Sequence, residues 1–270
     1  MLASLLITLR EGLEAFLLVG ICLSYLDKLN ARRFNRYIYA GVVVGLLTSL
    51  VVAFLFQVVV DQFNNEKYRN LLMAGILIFA TLVLSSMALW MQKQGGKEAG
   101  QMKENVTQLV NGEKAFGLAL LAFLAVMREG FETVLFFSAL VYSGQGITLQ
   151  SGLSGAVVGL LLALVLVWLL MRSTRKVALR PFFRWSSLLI LVIAAGLFSS
   201  SINMLQAAQW LPMVMSPLFD ISFILDDRSV FGTFLRALFG YNSSPGLLQL
   251  LAWGGYLLVF GYFWRRQYAQ

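Results

Sequence analysis

One charged word occurs twice inside otherwise apolar stretches: Arg10-Glu11-Gly12-Leu13-Glu14 and Arg128-Glu129-Gly130-Phe131-Glu132. Each copy puts three ionisable side chains into a run long enough to cross a bilayer. A charge near the bilayer centre costs about 2.5–3.5 kcal/mol on insertion scales. A chain that bears this cost twice, in the same spelling, is expected to use the charges, and the use that fits is moving a charged species across the membrane.

The bilayer follows from composition. Of 270 residues, 59% are hydrophobic and 13% charged, and the mean hydropathy is +0.77. No soluble domain of this size has that balance. No low-complexity tract or linker divides the chain, which reads as one integral membrane domain over residues 1–270. Met1–Leu9 has no basic region and no small-residue cleavage site follows it, so it reads as the start of the first span. Cys22 is the only cysteine and there is no histidine. An intramolecular disulfide, a His-held haem, a thiolate zinc site and a Ser-His-Asp triad are excluded. A metal held here would be held mainly by oxygen, which favours hard cations. The ten methionines are scattered among apolar neighbours and read as core filling.

Seven segments have the length and apolarity of a spanning helix: Leu2–Leu26, Ile38–Val60, Leu71–Met91, Phe116–Tyr142, Gly152–Met171, Ser186–Leu205 and Leu247–Trp264. The expected fold class is an all-α polytopic membrane protein with seven transmembrane helices. Residues 207–246 hold Pro212, Pro217 and Pro245 with short apolar runs, and an amphipathic or re-entrant segment is expected at Val230–Phe239. If the seven spans alternate, fifteen basic residues fall on one side: Lys28, Arg32, Arg33, Arg36, Lys93, Lys97, Lys103, Lys114, Arg172, Arg175, Lys176, Arg180, Arg184, Arg265 and Arg266. Only Lys67, Arg69, Arg228 and Arg236 fall on the other. The positive-inside rule then sets the N-terminus outside and the C-terminus in the cytoplasm, in a plasma membrane such as a bacterial inner membrane. The net charge of +8 is explained by this topology and by anionic lipid, without nucleic acid.

The first and fourth spans run in opposite directions, so the two words are inverted relative to each other. Two three-helix units related by a pseudo-two-fold axis in the membrane plane would produce this, repeat one over about 1–92 and repeat two over about 116–206, with the last helix (247–264) outside the repeat. Ala80-Thr81-Leu82 with Ser85-Ser86 resembles Ala195-Gly196-Leu197 with Ser200-Ser201 at equal offsets. On a helix, residues three and four apart share a face. Glu11 with Glu14, and Glu129 with Glu132, can therefore point one way, with Arg10 and Arg128 beside them. Gly12 and Gly130 let another helix or an ion come close.

Four carboxylates and two guanidinium groups facing one another carry net −2 and suit a multivalent hard cation. Without a cation the carboxylates would repel, and some would take up protons. The Arg residues would balance charge and keep binding weak enough for release. Ser85, Ser86, Ser199, Ser200 and Ser201 can add hydroxyl oxygens, although small residues equally serve helix packing. Asp220, Asp226 and Asp227 of the outer loop can collect cations or simply form a solvated face. Each Arg–Glu pair read alone could be a structural salt bridge; two inverted copies with a spare Glu argue for function.

At these residues the chain resembles the oxidase-dependent iron permeases of fungi and many bacteria, whose hallmark is Arg-Glu-x-x-Glu in the first and fourth helices. The resemblance extends to Phe219-Asp220-Ile221-Ser222, Phe231-Gly232-Thr233 and Phe239-Gly240-Tyr241, and covers nearly the whole chain. It implies iron import, with Glu11, Glu14, Glu129 and Glu132 handling iron and Arg10 and Arg128 essential beside them. It implies iron, Fe²⁺ or Fe³⁺, as substrate, with no permanently bound cofactor. It also implies an outer-side partner, an oxidase or iron-binding protein, that hands iron over. Fe³⁺ is the harder ion and suits an all-oxygen site. The sequence departs from the family pattern at Leu71-Leu72-Met73-Ala74, where relatives often carry an acid, and at Asp226-Asp227-Arg228, where they often carry a histidine. The ion, its oxidation state and the coupling stay open on that account. There is no ATP-binding loop, so energy must come from gradients, membrane potential or a partner. The competing readings are a transporter of another divalent cation such as Mn²⁺ or Pb²⁺, a proton-coupled exchanger, an intramembrane acid–base enzyme and an assembly subunit. A permease rather than an enzyme is the reading adopted.

Overall fold

The computed structural model describes residues 2–62, 65–94, 97–143, 148–172, 180–215, 217–227 and 229–268. Arg175, Lys176 and Arg228, which entered the loop-charge comparison, lie outside the described residues. Nine α-helices and no strands occur among the described residues: α1 Leu2–Lys28, α2 Asn35–Asp61, α3 Glu66–Gln94, α4 Lys97–Asn111, α5 Ala115–Tyr142, α6 Leu149–Arg172, α7 Arg180–Ala207, α8 Val230–Phe239 and α9 Leu247–Tyr268. Each segment expected to span lies within one of the long helices. Helix is the only answer that satisfies every backbone N–H and C=O within a single segment where water is absent.

Among the described residues, five helices are long and apolar enough to cross a membrane: Arg32–Val60, Glu66–Leu89, Leu149–Arg172, Arg184–Ala207 and Leu247–Arg266. Helices α1 and α5 match them in length, 27 and 28 residues, and differ in carrying the charged words. The exterior is inverted relative to a soluble protein. Helices α2, α6 and α9 turn Leu50, Phe54, Leu161, Trp168 and Leu258 outward. Apolar surface on this scale belongs against lipid.

The core sits where α1, α3, α5, α7 and α9 converge. Ala3, Ile7, Leu77, Leu84, Phe136, Leu140, Ile193, Leu197 and Tyr256 form one buried cluster there. A second cluster, Cys22, Leu26, Phe34, Ile38, Val106 and Leu118, closes the end at which α4 lies. Residues 92–115, read in sequence as a loop, thus contain a helix. Its Met102, Val106 and Leu109 face the core while Lys103 and Glu104 face out. At fifteen residues it is too short and polar to register as a span, and the 3.6-residue spacing of those apolar positions is the signal that would have found it. The segment expected at Val230–Phe239 is α8, capped at its start by Ser229, whose hydroxyl accepts the Gly232 N–H at 2.9 Å. It ends at Gly240, whose φ of 66° is the left-handed conformation glycine adopts without strain.

The long helices pair off by the closest approach of their backbones. α1 packs most extensively on α6, α2 on α5, and α3 on α7. Two stripes of small residues make the first two pairings possible: Gly155, Gly159 and Ala163 on α6, and Gly41, Gly45 and Ser49 on α2. A Cβ at Gly159 would run into the Leu5 carbonyl oxygen, and one at Gly41 into that of Ala119. A Cβ at Gly45 would come within 3.2 Å of the Phe123 carbonyl oxygen. Leu5 and Phe123 each stand five residues before the Arg of a charged word. Four residues after Gly159 and Gly45, Ala163 and Ser49 lie against Gly12 and Gly130, the glycines of the two words. Small residues at four-residue spacing let membrane helices meet backbone to backbone. Gly159→Leu should therefore lower thermal stability in detergent by about 3 kcal/mol, the upper part of the overpacking range. Gly255→Leu, at a position whose Cβ would meet nothing within 4 Å, should leave the unfolding temperature unchanged.

Candidate functional site

The two charged words meet. One carboxylate oxygen from each of Glu11, Glu14 and Glu129 lies within 4.8 Å of the others. Oxygens bound to one ion at about 2.1–2.5 Å cannot stand further apart than about twice that distance, so the three fit around a single cation. Glu132 is not one of this trio; its Oε1 lies 3.3 Å from the Arg128 Nε. Glu11 and Glu129 bring an oxygen each into this group from opposite sides of the α1–α5 contact.

The two arginines are placed differently. Arg10 is 1% exposed. Its Nη1 donates to Glu11 Oε1 at 2.8 Å and to the Met87 sulfur at 3.2 Å, and its Nη2 lies 3.2 Å from Glu14 Oε1. Arg128 approaches Glu132 and Glu129 (3.3 and 3.8 Å) but remains 47% exposed. Oε2 of Glu11, Glu129 and Glu132 is buried without a hydrogen-bond partner. An unmet buried acceptor costs about 1–3 kcal/mol, more when charged. Several in one place are what a bound cation or shared protons would satisfy.

The glycines of the words serve packing: they admit Ala163 and Ser49, not an opening for an ion. The serines are engaged in bonds of their own. Ser85 donates to the Thr81 carbonyl and pairs with the Tyr256 hydroxyl. Ser86 is exposed and donates to the Val83 carbonyl at 2.8 Å. Ser199 donates to the Gln249 carbonyl at 3.2 Å and Ser201 to that of Phe198 at 2.6 Å, while Ser200 is likewise partnered. Met87, which touches the Arg10 guanidinium, is the contact that sequence reading passed over, because its neighbours Ala88, Leu89 and Trp90 mark it only as core filling.

Beyond the helices, Asp226 and Asp227 line a polar recess of about 500 Å³ with Ser222, Phe223, Arg236 and Ser243. Asp227 accepts the Ser243 N–H at 2.9 Å, and Asp220 accepts that of Ser222 at 2.9 Å. The hydroxyl and N–H of Ser222 lower the Asp220 pKa from its ordinary value, so this exposed side chain is a carboxylate at neutral pH.

Fold and site together define an all-helical membrane protein whose charged groups are gathered between two of its helices. The chain belongs to the FTR1 iron permease family, which it matches over residues 1–266. It is 31% identical over 260 residues to proteins named ferrous iron permease EfeU from Escherichia coli O6:K15:H31 and Shigella sonnei, covering 96% of this chain and 93% of theirs. The Yersinia pestis EfeU is similar at the same identity, with 91% of its length covered. No solved structure matches the chain.

Proposed function

We propose that this protein imports ferrous iron through the carboxylate cluster of α1 and α5. The observation that carries the reading is the convergence of Glu11, Glu14 and Glu129 within 4.8 Å inside a helical membrane protein. The names of the relatives supply the oxidation state. Two unpaired oxygens at depth, on Glu11 and Glu129, would take the ion after partial dehydration. Glu132, less deeply buried and one turn outward of Glu129, stands on the approach side, and Glu14, equally less buried and one turn inward of Glu11, on the cytoplasmic side.

Seven spans, α1–α3, α5–α7 and α9, are arranged as two inverted three-helix units with α9 outside them. The pairing supports this. Exchanging the units turns the α1–α6 contact into the α5–α2 contact and returns α3–α7 to itself. The equivalent positions of Leu5 and Phe123 support it again. Alternating access would rock one unit against the other around the cluster. The N-terminus is outside and the C-terminus cytoplasmic in the plasma membrane. Asp220, Asp226 and Asp227 collect the ion outside, where an oxidase or iron-binding protein delivers it. The inward-negative potential favours a cation by about 2.3 kcal/mol per charge per 100 mV.

Purified protein in liposomes, given Fe²⁺ outside under a reductant and an inward-negative potential, should accumulate iron in the lumen. Excess Mn²⁺ should compete weakly. Uptake of Mn²⁺ with none of iron would replace iron by the other divalent cation. No uptake of either would return the cluster to a structural role.

A further inference from the structure

The donors around the carboxylate cluster are not all oxygen. The Met87 sulfur stands 3.2 Å from the Arg10 Nη1, and the same nitrogen donates to Glu11 Oε1 at 2.8 Å. One cationic nitrogen thus lies between a soft donor and a hard one. Sulfur and carboxylate oxygen can stand no further apart than those two lengths laid end to end. Met87 is 5% exposed and sits in the buried cluster that holds Ile7, Leu84 and Phe136. Leucine would serve that packing as well. An acceptor for a guanidinium N–H is what leucine cannot supply. The proposed repeat does not demand a sulfur either: at the offset that sets Ser85-Ser86 on Ser200-Ser201, Met87 falls on Ile202.

We propose that Met87 is a ligand of the transported ion and selects Fe²⁺ from harder cations. This rests on import through the cluster and adds a specificity-determining residue to it. A divalent cation entering among Glu11, Glu14 and Glu129 repels the Arg10 guanidinium. When Nη1 withdraws, the sulfur loses its donor at the edge of the ion's shell. A first-row divalent ion takes oxygen at about 2.1 Å and sulfur at about 2.3 Å. The three rotatable bonds of methionine let the thioether close the remaining gap. Carboxylates alone suit Mg²⁺, Ca²⁺ and Mn²⁺, whereas a thioether suits softer ions. Fe²⁺ also stands above Mn²⁺ in affinity for a given mixed site. Sulfur gives less to Fe³⁺, the harder ion, so a ligand set with Met87 in it accounts for a ferrous cargo. Being neutral, the thioether adds discrimination without tightening the site as a fourth carboxylate would.

Liposomes given equal Fe²⁺ and Mn²⁺ under a reductant and an inward-negative potential test it, by the ratio of the two metals in the lumen. Met87→Leu keeps the volume of the side chain and removes the sulfur. It should lower the Fe²⁺-to-Mn²⁺ ratio roughly tenfold, with Mn²⁺ uptake retained. Met73→Leu, at another buried methionine of α3, should leave the ratio unchanged. X-ray absorption at the iron edge of Fe²⁺-loaded protein in detergent should show a sulfur neighbour at about 2.3 Å. That neighbour should be lost in Met87→Leu and kept in Met73→Leu. A shell of oxygen alone in the wild type would overturn the proposal. So would an unchanged ratio in Met87→Leu, or a fall of both metals in equal proportion, which would make Met87 a support for Arg10 alone. Any of these results leaves iron import standing. No uptake of either metal by the wild type would remove import, and this ligand with it.

Discussion

Glu129→Gln and Glu14→Gln should each abolish iron uptake into liposomes while the protein still reaches the membrane and unfolds at or above the wild-type temperature. The reasoning separates transport from folding. Glu11, Glu14 and Glu129 bring like charges within 4.8 Å, an arrangement that strains the empty protein and is useful only when a cation or protons sit among them. Glutamine keeps the volume and one carbonyl oxygen but removes the charge. Loss of one charge from a site of three carboxylates weakens divalent binding steeply, and a decrease in uptake of at least a hundredfold is expected. Stability moves the other way, since a buried acceptor without a partner, Glu129 Oε2, gives way to a neutral amide. Glu132→Gln separates roles within the set. Its carboxylate stands with Arg128 outside the trio, so an uptake defect there with iron binding retained places Glu132 on the path and not at the bound ion. Wild-type uptake by Glu129→Gln would remove the cluster from the transport route.

Much of this arrangement was legible in the sequence, and the reason is energetic. Charges inside apolar runs are too costly to be incidental, so Arg10, Glu11, Glu14 and their second copy announced both the helices and the faces that meet. The apolar runs themselves gave every long helix to within a few residues. Helix α4 escaped because a helix lying along the surface needs only Met102, Val106 and Leu109 on one side, and its average is polar. The small-residue stripes, Gly41-Gly45-Ser49 and Gly155-Gly159-Ala163, were visible as letters but not as contacts. Glycine is common in apolar helices, and only the approach of the Leu5 and Ala119 carbonyls says which glycines are packed. The unequal burial of Arg10 and Arg128 was beyond reading, because the words are the same and the difference is made by residues distant in sequence, such as Met87 of α3 against Arg10.

That inequality sets the second large effect. Arg10→Met should cost about 3–5 kcal/mol and deplete the protein from the membrane fraction. Removing one partner of a fully buried ion pair leaves the other charged and unsolvated. Here two partners are stranded, Glu11 at 2.8 Å and Glu14 at 3.2 Å, together with the Met87 sulfur. Arg10→Lys should recover part of the loss, since one ammonium keeps the charge but cannot span both carboxylates as a guanidinium fork does. Arg128→Met should change the unfolding temperature far less, because Arg128 is half-exposed and its closest carboxylate contact is 3.3 Å. Thermal unfolding in one detergent, with yield in membranes alongside, checks all three. The double variant Arg10→Met with Glu11→Gln decides the cause: if stranded charge is what destabilises Arg10→Met, neutralising the nearer carboxylate restores yield, whereas a cavity left by the lost side chain would persist in both.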